Sequence, residues 1–494
     1  MNIHAIINKT FSVAIIQLLV FTSASAKPKP NVLFIAIDDL NDWVGCLGGH
    51  PQTISPNIDE LASKGLLFTN AHCQAPISGP SRASIMTGLF PSTSGNYFHV
   101  SDGNIKKSND VAGSVEFLPD YFEKYGYKTM GVGKIYHNGD KAETFDEFGG
   151  VFLENMYGPT PETRFKYDPT WFDDKVGGTQ TDWGVYPEND SILPDYKSAQ
   201  WAISKLKENH KKPFFLAVGF IRPHVPWYVP QKWFDMFSTA DIITPPYNPN
   251  DFDDIPEMGV RVSDVPAMPT TEWLIETNQW KEVVRAYLAC IAFVDEQVGK
   301  VLEQLNNSSY ADNTIVILWS DHGYHLGEKN RFAKQALWER NTRVPLIIRT
   351  PDMKQGKKTN APVQLIDMYP TLVELCGLPE YQLAEGKSLL PLIKNPRKKW
   401  NHTAKSVYGI NNIAVRNERY RLIQYEDNSL ELYDLKKDPN EWVNLAEQKK
   451  YKKIISILRS SIPQGWADSS QYGNPPNSNY FNSKYRSEMQ PTTK

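Results

Sequence analysis

NVLFIAIDD, residues 31–39, is a continuous apolar run that ends in two adjacent aspartates. A strand with helices on both faces is apolar throughout, whereas a half-exposed strand alternates. FFLAVGF at 214–220 and TIVILW at 314–319 repeat this pattern. Between them, apolar residues from Val283 to Leu305 recur close to the helical period. Buried strands that alternate with helices predict an α/β fold with a large, doubly wound, mostly parallel sheet.

The chain divides into three parts. Residues 1–26 join an apolar run to the small-residue ending TSASA, which predicts a signal peptide cleaved after Ala26. The run is shorter than the roughly 20 residues of a spanning helix, so we expect an exported protein, periplasmic or secreted, without a membrane span. Residues 27–400 form the predicted main domain. Residues 401–494 show short alternating runs, which predict a smaller α+β subdomain, and from Tyr472 a polar tail, extended or disordered.

Composition excludes several classes of protein. The chain has 494 residues, with 53 Lys and Arg against 56 Asp and Glu, and a formal charge of −3. This balance excludes a strongly basic nucleic-acid binder, and no nucleic-acid partner is expected. Hydrophobic residues at 40% supply a large core, which excludes a disordered or fibrous chain.

Three local patterns add structural expectations. In SPNIDELASKG, Ser55 is a predicted N-cap, with Pro56 first in the helix and Gly65 ending it. The aromatic-rich stretch 156–187 and the Pro-rich stretch 226–269 look like insertions, whose aromatic residues are either packing anchors or sugar-stacking platforms.

The four cysteines are too few and too scattered for a disulfide framework. Cys290 and Cys376 lie in apolar patterns and are predicted core residues. A bridge between Cys46 and Cys73 stays open, because the spacing does not decide it.

Acidic residues follow two of the predicted strands. Asp38 and Asp39 end the first run, while Asp321 and His322 come directly after the strand at 314–320. A solvated turn would explain either group alone, but parallel strands bring both to one sheet edge. Clustered carboxylates repel one another unless a cation neutralises them. We therefore expect a metal site; oxygen ligands favour Ca²⁺ or Mg²⁺, while His322 leaves Zn²⁺ or Mn²⁺ open.

SGPSR, residues 78–82, is a turn that precedes a predicted helix. Ser81 is the expected N-cap of a helix that begins near Arg82, whose backbone N–H groups would face Ser78. This arrangement suits a nucleophile that reacts with an anionic substrate, although most serine-rich turns before a helix serve only to cap the helix N-terminus.

SGPSRASIMTG, residues 78–88, is very similar to the signature C/S-x-P-S-R of formylglycine-dependent sulfatases, which belong to the alkaline phosphatase superfamily. The chain most resembles the iduronate-2-sulfatase-like branch and bacterial polysaccharide sulfatases. The other blocks that carry the resemblance are NVLFIAIDD, GKIYH (133–137), FFLAVGFIRPHVP (214–226), SDHGYHLGE (320–328), RFAKQALWE (331–339) and ELYDLKKDPNEWVNL (431–445). Residues 27–400 are then expected to be the catalytic sulfatase domain.

The resemblance implies a modified nucleophile and a metal. Ser78 would be oxidised to formylglycine (3-oxoalanine), whose hydrated aldehyde attacks sulfur and later expels sulfate. One Ca²⁺ per chain would lie between Asp38, Asp39, Asp321 and His322, with Ser78 completing the ligands. The serine form of the signature implies a radical-type sulfatase-maturating enzyme as a partner.

The resemblance also assigns the remaining polar residues. Arg82 and Lys134 would hold formylglycine and sulfate, and Lys334 would hold sulfate near the leaving group. His137 matches the base that acts on the diol, and His224 matches the proton donor to the leaving alcohol.

The expected substrate is a sulfated carbohydrate, and the expected reaction is hydrolysis of sulfate esters on sugars of a polysaccharide or its oligosaccharides. Uronate or rhamnose sulfate, as in ulvan or glycosaminoglycans, fits this branch. Arg222, Trp227 and His325 are expected to contact substrate because they adjoin the catalytic blocks.

Attraction of an anionic polymer must be local in a chain of charge −3, and one candidate cation cluster is Arg331, Lys334, Arg340 and Arg343. Two alternative functions remain: a phosphatase or phosphodiesterase with two zinc ions, and a carbohydrate-binding homologue without catalysis.

Overall fold

The computed structural model describes residues 28–139, 142–151, 157–165, 181–476 and 478–486. The predicted signal peptide lies outside these ranges, as do Tyr167 and Trp171 of the aromatic stretch. Within them, no helix combines the length and apolarity needed to cross a bilayer.

The strands lie in four sheets. Their bounds are β1 Asn31–Ile37, β2 Leu66–Phe68, β3 Ala71–His72, β4 Lys128–Gly133, β5 Glu147–Phe148, β6 Trp183–Val185, β7 Phe214–Phe220, β8 Trp227–Val229, β9 Thr314–Ser320, β10 Arg343–Val344, β11 Leu346–Arg349, β12 Lys357–Thr359, β13 Val363–Gln364, β14 Ala404–Val407, β15 Ile413–Arg416, β16 Tyr420–Gln424 and β17 Leu430–Asp434.

The α-helices range from single turns to one long helix. Their bounds are α1 Pro56–Lys64, α2 Ser78–Thr87, α3 Pro91–Ser94, α4 Asp110–Ser114, α5 Leu118–Lys124, α6 Pro194–Lys207, α7 Gln231–Phe234, α8 Glu257–Ser263, α9 Thr271–Glu276, α10 Trp280–Asn306, α11 Glu339–Thr342, α12 Met368–Leu375, α13 Leu390–Lys394, α14 Lys452–Arg459 and α15 Asn479–Phe481.

The main sheet has eight strands in the order β12-β2-β11-β9-β1-β7-β4-β5. Its central strands β9, β1, β7 and β4 are parallel neighbours, while β11 runs antiparallel to β9 and β2. The predicted doubly wound, mostly parallel α/β fold is confirmed. Because β9, β1, β7 and β4 run the same way, the residues that follow them meet at one edge of the sheet.

Strand β1 shows why its sequence is apolar throughout. Leu33, Ile35 and Ile37 pack into a core on one face, whereas Val32 and Phe34 pack into a core on the other. The first core includes the buried side of α10, which confirms the helix expected from the 3.6-residue period. Burial on both faces removes the polar alternation of a half-exposed strand.

The predicted N-cap of one helix and the predicted start of another need correction. Helix α1 begins at Pro56 as expected, but Ser55 does not cap it, because its hydroxyl donates to Asp59 and accepts from Gly45 N–H. Helix α2 begins at Ser78 rather than near Arg82. Ser81 is inside this helix, where its hydroxyl donates to the Asp321 carbonyl at 2.6 Å.

The C-terminal part contains the antiparallel sheet β14-β15-β16-β17. The expected extended or disordered tail is wrong for the last residues that the structure describes. Tyr480, Phe481 and Tyr485 are buried in the core beside this sheet, and Phe98 stacks edge-on against Phe481 and Tyr485. Burial of these aromatic side chains therefore fixes the C-terminal segment against the core, although the overall composition of the segment is polar.

The cysteines are all free. Cys290 and Cys376 are buried in the core, as predicted. No bridge joins Cys46 and Cys73; Cys73 is buried, and its thiol donates to the Asn341 carbonyl.

Candidate active site

Four parallel strands deliver polar residues to one edge of the main sheet. Strand β1 leads to Asp38 and Asp39, β4 to Lys134 and His137, β7 to Arg222 and His224, and β9 to Asp321 and His322. The β1 and β9 loops are joined directly, since the Asp39 backbone N–H donates to Asp321 Oδ1 at 3.1 Å. The sheet thus assembles residues that are almost 300 positions apart in the chain.

A metal-binding geometry is present at this edge. Ligand atoms of Asp39, Asp321 and His322 lie within 4.8 Å of one another, as do those of Asp38, Asp39 and His224. His322 Nδ1–H donates to the Gly323 carbonyl at 2.9 Å, which leaves the Nε2 lone pair facing Asp39 and Asp321. Three carboxylates and one oriented imidazole suit a hard divalent cation.

Ser78 lies at the centre of the cluster. Its hydroxyl contacts His322 Nε2 at 2.9 Å and Asp38 Oδ1 at 3.4 Å. Lys334 Nζ donates to the same hydroxyl at 3.5 Å. Ser78 is completely buried as the first residue of α2. The predicted nucleophile and the predicted metal ligands are therefore in contact.

Three buried cations neutralise the carboxylates. Arg82 Nε lies 2.9 Å from Asp321 and its Nη2 3.1 Å from Asp38. Lys134 Nζ contacts Asp38 at 2.5 Å, and Lys334 Nζ contacts Asp39 at 2.8 Å. Ionised groups this deep in a protein require paired charges.

The pKa values of the paired aspartates move in opposite directions. Burial opposes ionisation of Asp38, but the charge of Lys134, followed by His224, Arg82 and Lys334, holds its pKa well below the ordinary value. Burial raises the pKa of Asp39, and Asp38 and Asp321 add repulsion. Asp39 also has a φ of 57°, an uncommon backbone conformation for a residue other than glycine. Uncommon backbone conformations and shifted pKa values both cluster at functional sites of proteins.

His224 is held from three sides. Its Nδ1–H donates to the Val225 carbonyl at 2.5 Å, so Nε2 faces Asp39 Oδ2 at 3.8 Å. The Tyr157 ring stacks on the imidazole with centroids 4.6 Å apart. The loop itself is fixed by Asp195, whose carboxylate accepts from the Ile221 and Arg222 backbone N–H groups. Rigid support of this kind fixes the imidazole in one orientation.

His137 lies beside a second histidine, His99, which no sequence motif predicted to be part of the site. His99 stacks on His137 with centroids 4.1 Å apart, and both Nδ1 atoms are buried without a hydrogen-bond partner among the described residues. A β-carbon at position 79 would lie 2.6 Å from His99 Nδ1, so glycine beside Ser78 is needed to admit the ring. The C-terminal segment secures His99, because Asn474 N–H donates to its carbonyl at 2.7 Å.

Backbone hydrogen bonds place His137. Asp102 accepts from the backbone N–H groups of His137, Asn138 and Gly139 at 2.7 to 3.1 Å. Asp102, like Asp195, is distant in sequence from the loop that it holds. Neither residue follows a strand of the main sheet, which is the signal that identified the other aspartates.

Two of the three predicted substrate contacts, Trp227 and Arg222, have their polar groups engaged inside the protein. Trp227 is fully buried, where its Nε1–H donates to the Pro223 carbonyl and its ring packs on Tyr287 and Tyr324. Arg222 is also fully buried, and it donates to the Tyr157, His224 and Tyr228 carbonyls. Its guanidinium positions the His224 loop instead of facing solvent.

His325 is buried, and its ring lies edge-on to Trp338. The predicted cation cluster is dispersed: Arg340 and Arg343 pair with Asp42, and Arg331 donates to the Lys334 carbonyl. Only Lys334 of those four cations contacts the candidate nucleophile.

The described residues also bear on the phosphatase alternative. Both groups that could hold a metal share Asp39, so they mark one locality. A second set of His and Asp ligands, as a two-zinc phosphatase requires, is not found among the residues that the structure describes.

Comparison with known proteins agrees with this geometry. Residues 30–378 match the family model described as "Sulfatase", and residues 327–467 match the model described as "N-sulphoglucosamine sulphohydrolase, C-terminal". The first match spans the four strands that carry the site.

Individual relatives match most of the chain. A sulfatase of Formosa agariphila is 48% identical over 88% of this chain and 87% of its own. Iduronate 2-sulfatase of Mus musculus is 31% identical, covering 72% of this chain and 70% of its own. A solved structure described as a 2-O GAG sulfatase is 25% identical with a TM-score of 0.65, covering 87% of this chain and 90% of that one.

Proposed function

The chain belongs to the sulfatase family and is a sulfuric-ester hydrolase of sulfated sugars. On that premise, we propose that it is an exported, calcium-dependent enzyme. We propose that it removes 2-O-sulfate from uronic-acid units of a polysaccharide or its oligosaccharides. The observation that carries the proposal is the Ser78 hydroxyl, which lies 2.9 Å from His322 Nε2 and 3.5 Å from Lys334 Nζ within the carboxylate cluster. The choice of 2-O-sulfate is supported by the names of two relatives, iduronate 2-sulfatase and a 2-O GAG sulfatase.

We propose that a maturating enzyme oxidises Ser78 to formylglycine. In the hydrated aldehyde, one hydroxyl would attack sulfur as the S–O bond to the sugar breaks. Loss of the proton from the other hydroxyl would then re-form C=O and release sulfate. Because Ser78 is completely buried at the start of α2, we expect it to be modified before folding is complete.

Asp38, Asp39, Asp321 and His322 would hold the calcium ion. The chemistry that calcium supplies there is charge neutralisation and polarisation of a sulfate oxygen. Asp38 and Asp39 are each held by a buried lysine, Lys134 and Lys334, so their oxygens keep one orientation.

The remaining site residues bind charge or move protons. Lys134, Lys334 and Arg82 present fixed positive charge where the sulfate group would bind, in a site that excludes bulk water. His224 would give a proton to the leaving sugar oxygen, and His137 would take a proton from the diol. The Tyr157 stack orients His224, and the His99 stack orients His137.

Export is proposed on the apolar run and small-residue ending of residues 1–26. A mature protein whose first residue is Lys27 would support cleavage, and an intact N-terminus in protein from the native host would contradict it.

The activity is tested with protein from a host that supplies a radical-type maturating enzyme. Mass spectrometry of the Ser78 peptide should show the loss of two hydrogens. The matured protein should release sulfate from an unsaturated disaccharide with 2-O-sulfate on the uronate, but not from the matched disaccharide with 6-O-sulfate on the glucosamine. Release only from the second disaccharide would overturn the 2-O assignment. Calcium analysis should give one ion per chain, and two zinc ions would favour the phosphatase alternative.

A further inference from the structure

Residues 436–459 concentrate positive charge in an otherwise slightly acidic chain. This stretch contains seven Lys and Arg against three Asp and Glu, whereas the whole chain has a charge of −3. Four exposed lysines form its centre, and we call them the basic patch: Lys449, Lys450, Lys452 and Lys453. None of the four is in an ion pair with another described residue. The patch therefore projects uncompensated charge into solvent.

The position of the patch on helix α14 is electrostatically unfavourable for folding. Lys452 and Lys453 occupy the first turn of the helix, which contains no acidic residue. The N-terminus of a helix carries partial positive charge, so cations there are destabilising. An external anion bound at these lysines would offset this repulsion.

Aromatic contacts connect the patch to a cavity. Lys450 Nζ lies 5.0 Å from the centre of the Tyr451 ring, and Tyr451 packs against Tyr420 at 6.2 Å. Arg419 lies 4.9 Å from the Tyr420 ring and also lines a cavity of about 620 Å³. Both tyrosines are half-buried, so each ring has an exposed part beside the cations.

The walls of this cavity are rich in cations. Arg343, Arg416, Arg419 and Lys436 line it, together with Glu339 and Glu418. The three arginines pair with Asp42, Glu339 and Asp434, whereas Lys436 is exposed and has no ion-pair partner among the described residues. The volume is large enough for sugar units, which are bound in proteins by polar side chains and by stacking on aromatic rings.

A second cavity extends from the first towards the active site. It has a volume of about 190 Å³ and shares Glu339, Arg343 and Pro439 with the larger one. It also reaches Asp42 and His325. These residues are three positions beyond Asp39 and His322, so the cavities lead from the C-terminal sheet to the loops of the candidate metal site.

We propose that the basic patch and the adjoining 620 Å³ cavity form a second binding site for a sulfated polysaccharide chain, separate from the site that hydrolyses the ester. The inference rests on the proposed function for its choice of ligand. The polymer's sulfate and carboxylate groups would pair with the exposed lysines, and its sugars would occupy the cavity, whose lining residue Arg419 contacts the Tyr420 ring. Binding there would raise the concentration of sulfate esters at the catalytic site without taking part in the reaction.

An anionic membrane is the less favoured partner for these lysines. Helix α14 uses its apolar residues Ile455 and Leu458 against the protein, where both are buried. Ile457 is the one large apolar side chain of that helix which is strongly exposed, at 52%. An interfacial membrane helix needs a whole apolar face towards the lipid.

The test compares two triple variants with the same change in charge. The patch variant is Lys449→Glu, Lys450→Glu and Lys453→Glu. The control variant is Lys207→Glu, Lys211→Glu and Lys212→Glu; these lysines are exposed and precede β7, at the opposite end of the strand from the active site. Binding is measured by affinity electrophoresis in heparin and in dextran sulfate at several salt concentrations. Activity is measured on a 2-O-sulfated disaccharide and on heparin.

We expect the patch variant to bind both polymers about 10-fold or more weakly, with a shallower salt dependence. Its KM for the polymer should rise by a similar factor, while kcat and KM for the disaccharide stay as in the wild type. The control variant should behave as the wild type in every assay.

Three outcomes would overturn the proposal. The first is equal polymer binding by wild type and patch variant, including no binding by either at low salt. The second is an equal loss in the control variant, which would indicate only net charge. The third is patch-dependent binding to phosphatidylserine vesicles with unchanged polymer binding, which would indicate a membrane.

The two proposals can fail separately. If the wild type releases no sulfate from the disaccharide but shows patch-dependent polymer binding, the proposed 2-O activity is wrong and the second site stands.

Discussion

The active-site edge and the basic patch use positive charge in opposite ways. At the edge, Arg82, Lys134 and Lys334 are buried and each is paired with a carboxylate. At the patch, lysines such as Lys450 and Lys453 are exposed and have no ion-pair partner among the described residues. Paired, buried charge gives fixed geometry but little long-range attraction, whereas unpaired, exposed charge attracts anions without fixing reacting atoms. The buried, paired cations thus suit the chemical step of the proposed function, and the exposed, unpaired lysines suit the proposed binding of the polymer.

The largest expected effect comes from the nucleophile. Ser78→Ala should lower kcat by about 10,000-fold or more, because the residue acts with its neighbours as one unit. Sulfate release from the 2-O-sulfated disaccharide measures the loss, and heparin binding should not change. Ser84→Ala is a matched control, since Ser84 is buried in the same helix. Residual activity within tenfold of wild type would exclude Ser78 as the nucleophile.

The next effect concerns the metal site. Asp321→Asn should lower both calcium content and kcat, by more than the 10- to 100-fold typical of changes around metal ligands. It removes charge that Arg82 and the cation share. Elemental analysis and kinetics measure the two losses. Asp251→Asn serves as the control, because Asp251 is a buried lysine-paired aspartate outside the cluster. Full activity without bound metal would contradict the assignment.

A smaller effect is expected at His99, a positioning residue that acts through His137. His99→Ala should lower kcat about 10-fold with little change in KM, because the imidazole of His137 loses its stacked support. His99→Phe should restore most of kcat, since it keeps an aromatic face without ring nitrogens. If kcat of the His99→Phe variant is as low as that of a correctly folded His99→Ala variant, His99 acts through a ring nitrogen and not through stacking.

The smallest effect is on stability near the patch. Burial raises the pKa of Glu441 to about 7, and Glu339 adds repulsion against the attraction of Arg421. Because the folded pKa exceeds the ordinary value of about 4.3, the stabilisation is complete below that value and is lost as pH rises through 7.

Glu441→Gln cannot ionise, so it should gain on the order of 1 kcal/mol relative to wild type between pH 5 and pH 8. Urea unfolding across this range measures the difference. The exposed residue Glu418 provides a control, as Glu418→Gln should show no such trend. Parallel stability curves for wild type and Glu441→Gln would contradict the prediction.

The strand pattern predicts some parts of the site better than others. Strands β1, β7 and β9 are apolar enough to be recognised, and the acids after β1 and β9 are found with them. Strand β4 is not, because KTMGVG contains two glycines and begins with lysine. Lys134 and His137 therefore depend on the family resemblance, not on periodicity.

Arg222 and Trp227 show what sequence adjacency does not predict. Adjacency to His224 suggests contact with substrate, and only the structure shows that the loop turns both side chains into the protein. The direction in which a side chain points after a strand depends on the hydrogen bonds that hold the loop. In the loop after β7, these hydrogen bonds are accepted by Asp195 of helix α6.

By itself, the sequence determined the class of fold, the apolar strands β1, β7 and β9, the acidic residues that follow β1 and β9, and the family to which the chain is similar. Only the tertiary structure decided which histidines stack, which arginines turn inward and which lysines stay unpaired. The physical reason is that strand and helix patterns come from local periodicity, whereas pairing and burial come from contacts between residues far apart in the chain. The His99 ring beside Gly79 and the Asp102 carboxylate under the His137 loop are contacts of that second kind.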